Sequence, residues 1–248
     1  MISQRYQLTS SPYQFAEGYA ATKQSKNRQP VTKNLSSVDT DLKPSNRAKA
    51  ISAVREHQKN FSIAVWALNK HLDFVAEHTL SVNTQEQSLN RDIEAAIEAE
   101  SNPSAFDVCG MHSLQSYTRL KESHACVDGD IFTQKLRSGQ VQGIEGDRVF
   151  SKGGDVGTWV HGCRLNNAGA IQAIAVHKRG TSKNSFEFER YIKYENVFHH
   201  GHFQRLDQKR GISLMISGVN DFQDVYENKA YGLARMKISQ MFGAVMKR

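Results

Sequence analysis

Asp207–Met215 reads DQKRGISLM, and how this stretch is understood decides the fold. A dense polar cluster with one glycine runs directly into an apolar segment whose helical period continues to residue 248. It can be an anion-binding loop, a catalytic turn, or the corner that launches a structural helix. Lys209 and Arg210 ahead of Gly211 suit an anion at a helix start. Yet the chain has neither a G-x-G-x-x-G fingerprint nor a G-x-x-x-x-G-K-[ST] loop. The corner is therefore the preferred reading. Gly211 is the bend, Ser213 is the expected N-cap of the long helix, and Gln208 and Arg210 brace the corner or a neighbouring subunit.

Beyond the corner, Met215, Val219, Phe222, Tyr226, Ala230 and Leu233 recur at spacings of three and four. Ile238, Met241, Phe242 and Val245 continue that apolar face. A helix from Ser213 to Lys247 would be roughly 50 Å long. Its early Asp221, Asp224 and Glu227 and its late Lys229, Arg235, Lys237, Lys247 and Arg248 suit the helix dipole. A stripe of that length cannot be covered by a small domain, so the helix is expected to need a neighbour.

Upstream, residues 1–44 are polar and aperiodic and are read as an extended or disordered arm. Pro44 reads as a stop and Ser45 as an N-cap, with Ala48, Ile51 and Val54 on one helical face. After a hinge near Asn60, Val65, Leu68, Leu72 and Val75 predict a buried stripe. Leu89, Ile93, Ala96 and Ile97 repeat it more weakly, and a third helix is expected over about 112–127, burying Leu114, Tyr117 or Thr118, and Leu120. Past Asp128 the period becomes alternating. DIFTQKL, VQGIEGDRVF, GTWVHGCRL, AIQAIAVHKRG, FEFERYIKY and NVFHHGHF are strand-like, and Asn166-Asn167-Ala168-Gly169 reads as a hairpin turn. The expected fold is α+β: helices over 45–127, a largely antiparallel β-rich segment over 128–206, then the corner and long helix over 207–248.

Composition narrows the class. The 248 residues carry a net charge of +7, and the mean hydropathy of -0.56 is that of a soluble chain. The charge is segregated. Residues 1–60 hold ten basic and four acidic groups, residues 61–130 four and eleven, and residues 131–248 eighteen and ten. Such a pattern suits alternating subunit contacts or a surface with one face toward nucleic acid. Nothing reads as a membrane span or a secretory signal, and Cys109, Cys126 and Cys163 are expected as reduced thiols in a cytoplasmic protein.

Candidate chemistry is sparse. Each cysteine has a histidine nearby (Cys109/His112, His124/Cys126, His161/Cys163), but residues two apart on a helix diverge, so paired structural side chains outweigh a metal site. His199, His200 and His202 form an HHGH run in which His200 and His202 would share a strand face. Asp128-Gly129-Asp130 can be a divalent-metal pair or the turn between a helix and a strand, and its position favours the turn. No catalytic residue, metal or cofactor is assigned from these patterns.

The order of features resembles the portal proteins of lambda-type tailed bacteriophages. The resemblance rests on Asp107 and Gly110 in a D-x-x-G helix, and on Asp128, Gly129, Asp130 and Phe132. It continues through Ile144, Glu145, Asp147 and Arg148, then Val197, Phe198 and His199, and finally Arg205, Gln208, Arg210, Gly211 and Ser213, from about Ser45 onward. Leu214 stands where the family often has proline, and family members continue past this helix, so the chain corresponds to the N-terminal portion of such a protein. The resemblance implies a wing and stem architecture and a non-enzymatic homo-oligomeric ring, typically of twelve subunits, at one capsid vertex of the virion. That ring would be assembled in the host cytoplasm as the channel for DNA packaging and ejection. Implied partners are the terminase large subunit, the major capsid protein, head-completion or tail proteins, and double-stranded DNA bound without sequence preference, with no membrane. Lys237, Lys247 and Arg248 are the candidates for DNA or subunit contact. The alternatives are a metal-dependent DNA-processing enzyme using Asp128, Asp130 and the histidines near 200, or a helical adaptor.

Overall fold

The computed structural model describes residues 37–182 and 185–245. Most of the expected arm, and Lys247 and Arg248, lie outside the described residues. After a four-residue helix α1 (Val38–Asp41), α2 runs Pro44–Asn60, with Pro44 at its first turn and Lys43 as the cap. Proline therefore opens this helix rather than standing outside it, because its absent N–H would go unpaired there anyway. Phe61 ends α2 and begins α3 (Ser62–Val75).

The buried line of α3 is Ala64, Leu68, Leu72 and the following Ala76, at a strict spacing of four. Val75, expected inside, is exposed, as are Ile63, Trp66 and Phe74. The expected stripe is on the face that packs, since Leu68 and Leu72 are buried as expected and the departure is confined to Val75 near the helix end. α4 (Gln87–Ser101) buries none of its residues, and a short α5 (Pro103–Phe106) follows it. The D-x-x-G stretch is not helical. Gly110 takes φ +65 and donates its N–H to Asp107 O at 2.9 Å, while Asp107 Oδ2 accepts from Met111 N, closing a turn ahead of α6.

α6 (Leu114–Asp128) is capped by Ser113 and buries Tyr117, Glu122 and Ala125–Asp128, whereas Leu120 is exposed. Gly129 closes it at φ +96, a left-handed conformation that suits glycine. Seven strands follow: β1 (Asp130–Lys135), β2 (Val141–Glu145), β3 (Trp159–Val160), β4 (Cys163–Leu165), β5 (Ile171–Arg179), β6 (Phe186–Lys193) and β7 (Val197–Gly201). All pairs are antiparallel, in a three-stranded sheet ordered β2-β1-β7 and a four-stranded one ordered β3-β4-β5-β6. Asn166–Gly169 is the β4–β5 turn, with Asn166 Oδ1 accepting from the N–H groups of Ala168 and Ala170. At the β3–β4 turn both His161 (φ 48) and Gly162 (φ 84) are left-handed, the backbone a two-residue hairpin demands.

Phe132, Ile144, Val149, Cys163, Ile174, Val176, Ile192 and Val197 make one core, drawn from strands of both sheets. Val54, Leu68, Leu72, Cys126 and Val127 make a second among the helices, covered by Met215, Ile216 and Val219. The long helix α7 is Val219–Val245, 27 residues or about 40 Å, and a 3-10 turn (Ile216–Gly218) precedes it. Its first turns rest on α2 and α3: Phe222 lies near His57, and Tyr226 meets Phe61 edge-on at 4.9 Å.

Candidate functional site

The corner is built around one buried carboxylate. Asp130, the first residue of β1, has no solvent exposure. Arg210 approaches it side-on, Nε to Oδ2 at 2.7 Å and Nη2 to Oδ1 at 2.9 Å. The remaining guanidinium protons go to backbone carbonyls: Nη2 to Gly146 O at 2.6 Å, Nη1 to His161 O at 2.8 Å, and Nη1 to Val149 O. All five donors of Arg210 are thereby used, which is the condition for burying a guanidinium. Arg47 of α2 adds a second cation, Nη2 to Asp130 Oδ1 at 2.7 Å, with its Nη1 donating to Gly211 O. Gly211 N and His199 Nε2 complete the carboxylate at 2.8 and 3.2 Å.

Burial alone would raise the Asp130 pKa, but the Arg210 and Arg47 cations hold it well below the ordinary carboxylate range. Burial and the adjacent Arg210 bring Arg47 down to about 10, so it stays charged at neutral pH. His199 is pushed below the ordinary imidazole value by burial. It therefore serves as a neutral ring, donating from Nε2 to Asp130 and accepting the Tyr194 hydroxyl at Nδ1. The Phe132 ring stacks on His199 at 4.2 Å and has the Arg210 guanidinium 5.0 Å from its centre.

Glycine is required here by proximity. A Cβ on Gly211 would sit 2.0 Å from Gly129 O, one on Gly129 2.5 Å from Gly211 O, and one on Gly146 2.5 Å from Asp130 Oδ1. The corner chain thus passes backbone to backbone over the end of α6. Gln208 holds the bend from inside, donating to Arg210 O and accepting from Gln204 N at 2.9 Å. Ser213 does not cap the long helix, which begins six residues later at Val219. Its hydroxyl donates to Cys126 O at 2.7 Å and accepts from Met215 N, tying the corner to α6. That free carbonyl near the end of α6 outweighed a cap further along the chain.

A second cluster lies beside the first. Arg55 grips Asp128 with Nε at 2.8 Å and Nη2 at 2.7 Å, and also reaches Asp147 at 2.7 Å and Glu145 at 3.1 Å. Arg179 joins Asp147 and Glu145 from β5, and His124 reaches Asp128 at 2.9 Å. Arg148 turns elsewhere, to His177 O and Glu189. Asp128 and Asp130, which the enzymatic alternative pairs on one divalent ion, are instead held by different arginines. His200 and His202 do share a face: both reach Glu122, not Asp130. Cys109, Cys126 and Cys163 are free thiols, with burial pushing Cys126 and Cys163 up to about 12. Lys237 is exposed on α7.

Arg47 and Arg55 escaped the sequence reading. They stand 83 and 73 residues from the aspartates they neutralise, and no local spacing marks that pairing. The only available signal was their i, i+8 separation, which places both on the α2 face that carries Ile51 and Val54.

The charged groups of this junction saturate one another, so it acts as a clamp between α2, β1 and the corner. The sequence profile of phage portal proteins of the lambda family matches residues 24–248, and the chain belongs to that family. It is a portal protein subunit, part of the ring at a phage capsid vertex whose channel conducts DNA. A search of curated proteins returns no match. Among the described residues no helix is long and apolar enough to cross a membrane.

Proposed function

We propose that this chain supplies the wing and the upper stem of a twelve-subunit portal. In this reading the helical region and the two sheets form the wing, and α7 is the stem wall packed against its equivalents from neighbouring subunits. The observation that carries it is the outer length of α7. Tyr231, Leu233, Met236, Ile238 and Met241 are each at least half exposed, beyond the Tyr226–Phe61 contact that ends the support from α2 and α3. At about 100° per residue these side chains point to several sides of α7, and such exposure costs free energy in water unless neighbours cover it from more than one side. Arg235 and Lys237, and by their charge Lys247 and Arg248, which lie outside the described residues, would attract phosphates irrespective of sequence. The ring would form in the host cytoplasm beside the major capsid protein, engage the terminase large subunit during packaging, and receive head-completion or tail proteins afterwards.

Mass measurement and particle images of the purified chain test this. Closed rings with a central hole are expected, and Leu233→Asp with Ile238→Asp should reduce them to monomers of unchanged helix content. A single one-to-one complex with another protein and no ring would instead favour the adaptor reading.

A further inference from the structure

A third polar cluster lies apart from the Asp130 junction, where α3, α6 and the segment after β7 meet. Glu122 of α6 is buried, and its Oε1 gathers three donors: His71 Nε2 at 2.7 Å, His202 Nε2 at 3.4 Å and Cys126 Sγ at 3.5 Å. His202 Nε2 and Cys126 Sγ are 3.7 Å apart. Zinc bonds of about 2.0–2.3 Å to N, O and S set tetrahedral edges of roughly 3.3–3.7 Å. Of the six edges of such a tetrahedron, the three among Glu122 Oε1, Cys126 Sγ and His202 Nε2 already fall on that range. A His71 ring nitrogen lies within 4.8 Å of the Glu122 and Cys126 ligand atoms and would withdraw from Oε1 by about 0.6 Å to match it.

We propose that His71, Glu122, Cys126 and His202 form a four-coordinate Zn2+ site that pins α3 and the β7 exit to α6. The mixed imidazole, thiolate and carboxylate set selects zinc over magnesium or calcium, which take all-oxygen shells. His200 Nε2 holds the other carboxylate oxygen, Oε2, at 2.7 Å, so it is a positioning residue that orients Glu122. The His71 and His202 side chains are 35% and 25% exposed, which gives an ion a route in. As the S–Zn bond forms, the Cys126 thiol proton leaves to solvent, and the two imidazoles shift their proton to Nδ1 and remain neutral.

The test strips the full chain with a chelator and titrates it with Zn2+ alone and with Co2+ alone. One equivalent should bind, and the Co2+ complex should show thiolate-to-metal charge-transfer absorption with tetrahedral d–d bands. Cys126→Ser should abolish the charge transfer, and His202→Ala should weaken Zn2+ binding by about 100-fold or more. His200→Ala should weaken it about 10- to 100-fold while keeping the charge-transfer band. His112→Ala, outside the cluster, should bind as the parent does. Absence of saturable binding, a Co2+ spectrum without thiolate charge transfer, or unchanged affinity in both Cys126→Ser and His202→Ala would overturn the site. The wild-type cobalt spectrum decides even where a variant fails to fold.

Discussion

At the scale of single residues, stability concentrates on Asp130. Among the described residues it is the only anion in direct contact with Arg210, a fully buried guanidinium, and it also neutralises Arg47. Asp130→Asn keeps the shape but leaves two buried cations without a counter-charge. A loss of about 3–5 kcal/mol in urea-unfolding free energy is expected. The pH dependence follows from the depressed carboxyl. In the unfolded chain Asp130 titrates near its ordinary value of about 3.8, and in the folded chain well below it, so its contribution is fully present above about pH 4 and is lost as the pH falls further. Unfolding free energies measured from pH 6 to pH 2 should therefore drop below pH 4, less steeply in Asp130→Asn. An identical acid slope in the two proteins would assign that drop to other groups. Gly211→Ala probes the neighbouring backbone contact. With its Cβ 2.0 Å from Gly129 O, the corner must lift away from α6. A fall in melting temperature of several degrees is expected, since about 1 kcal/mol moves a domain of this size by roughly 2–4 °C.

At the scale of elements, the long helix is the part least supported by its own subunit. Its attachment runs through Met215, Ile216 and Val219 on the helical core and through the aromatic line His57, Phe61 and Tyr226. Phe61 stacks on His57 at 4.3 Å and also terminates α2, so it couples the α2–α3 bend to the start of α7. Phe61→Ala should speed amide exchange across Val219–Tyr226 at least tenfold while leaving β5 and β6 unchanged, because each aromatic pair contributes about 0.5–1.5 kcal/mol beyond its buried area. Uniform acceleration across the strands would show instead that Phe61 supports the whole fold. Period reading served well for the existence of these elements and for the buried Ile51, Val54, Leu68, Leu72 and Tyr117, and failed at Val75, at Leu120 and on α4. On α3 the apolar residues cover more than half the circumference, so Val75, Trp66 and Phe74 fit a stripe as well as Ala64 does.

At the scale of the whole molecule, the segregated charge and the portal family together predict how the chain meets DNA. Contact should be to phosphates, weak, indifferent to sequence, and steeply reduced by salt. On assembled protein, the slope of log affinity against log salt should become shallower by about 2 when Arg235 and Lys237 are both changed to alanine. An unchanged slope would place the phosphate contacts elsewhere.

Much was legible before any coordinates. Strand runs, the Asn166–Gly169 turn, the glycine corner and the long last helix are local events, set by side-chain period and by backbone φ that glycine and asparagine accept. Their ordered motifs also marked the portal family. What only the tertiary structure decided was partnership. Arg47 and Arg55 reach aspartates more than seventy residues away, Ser213 serves a carbonyl of α6 rather than a helix end, and His71, Glu122, Cys126 and His202 converge from three elements. A buried charge must find its counter-charge in space. Spacing along the chain carries no record of that requirement, because chain neighbours within an element face apart while strangers in sequence are packed together.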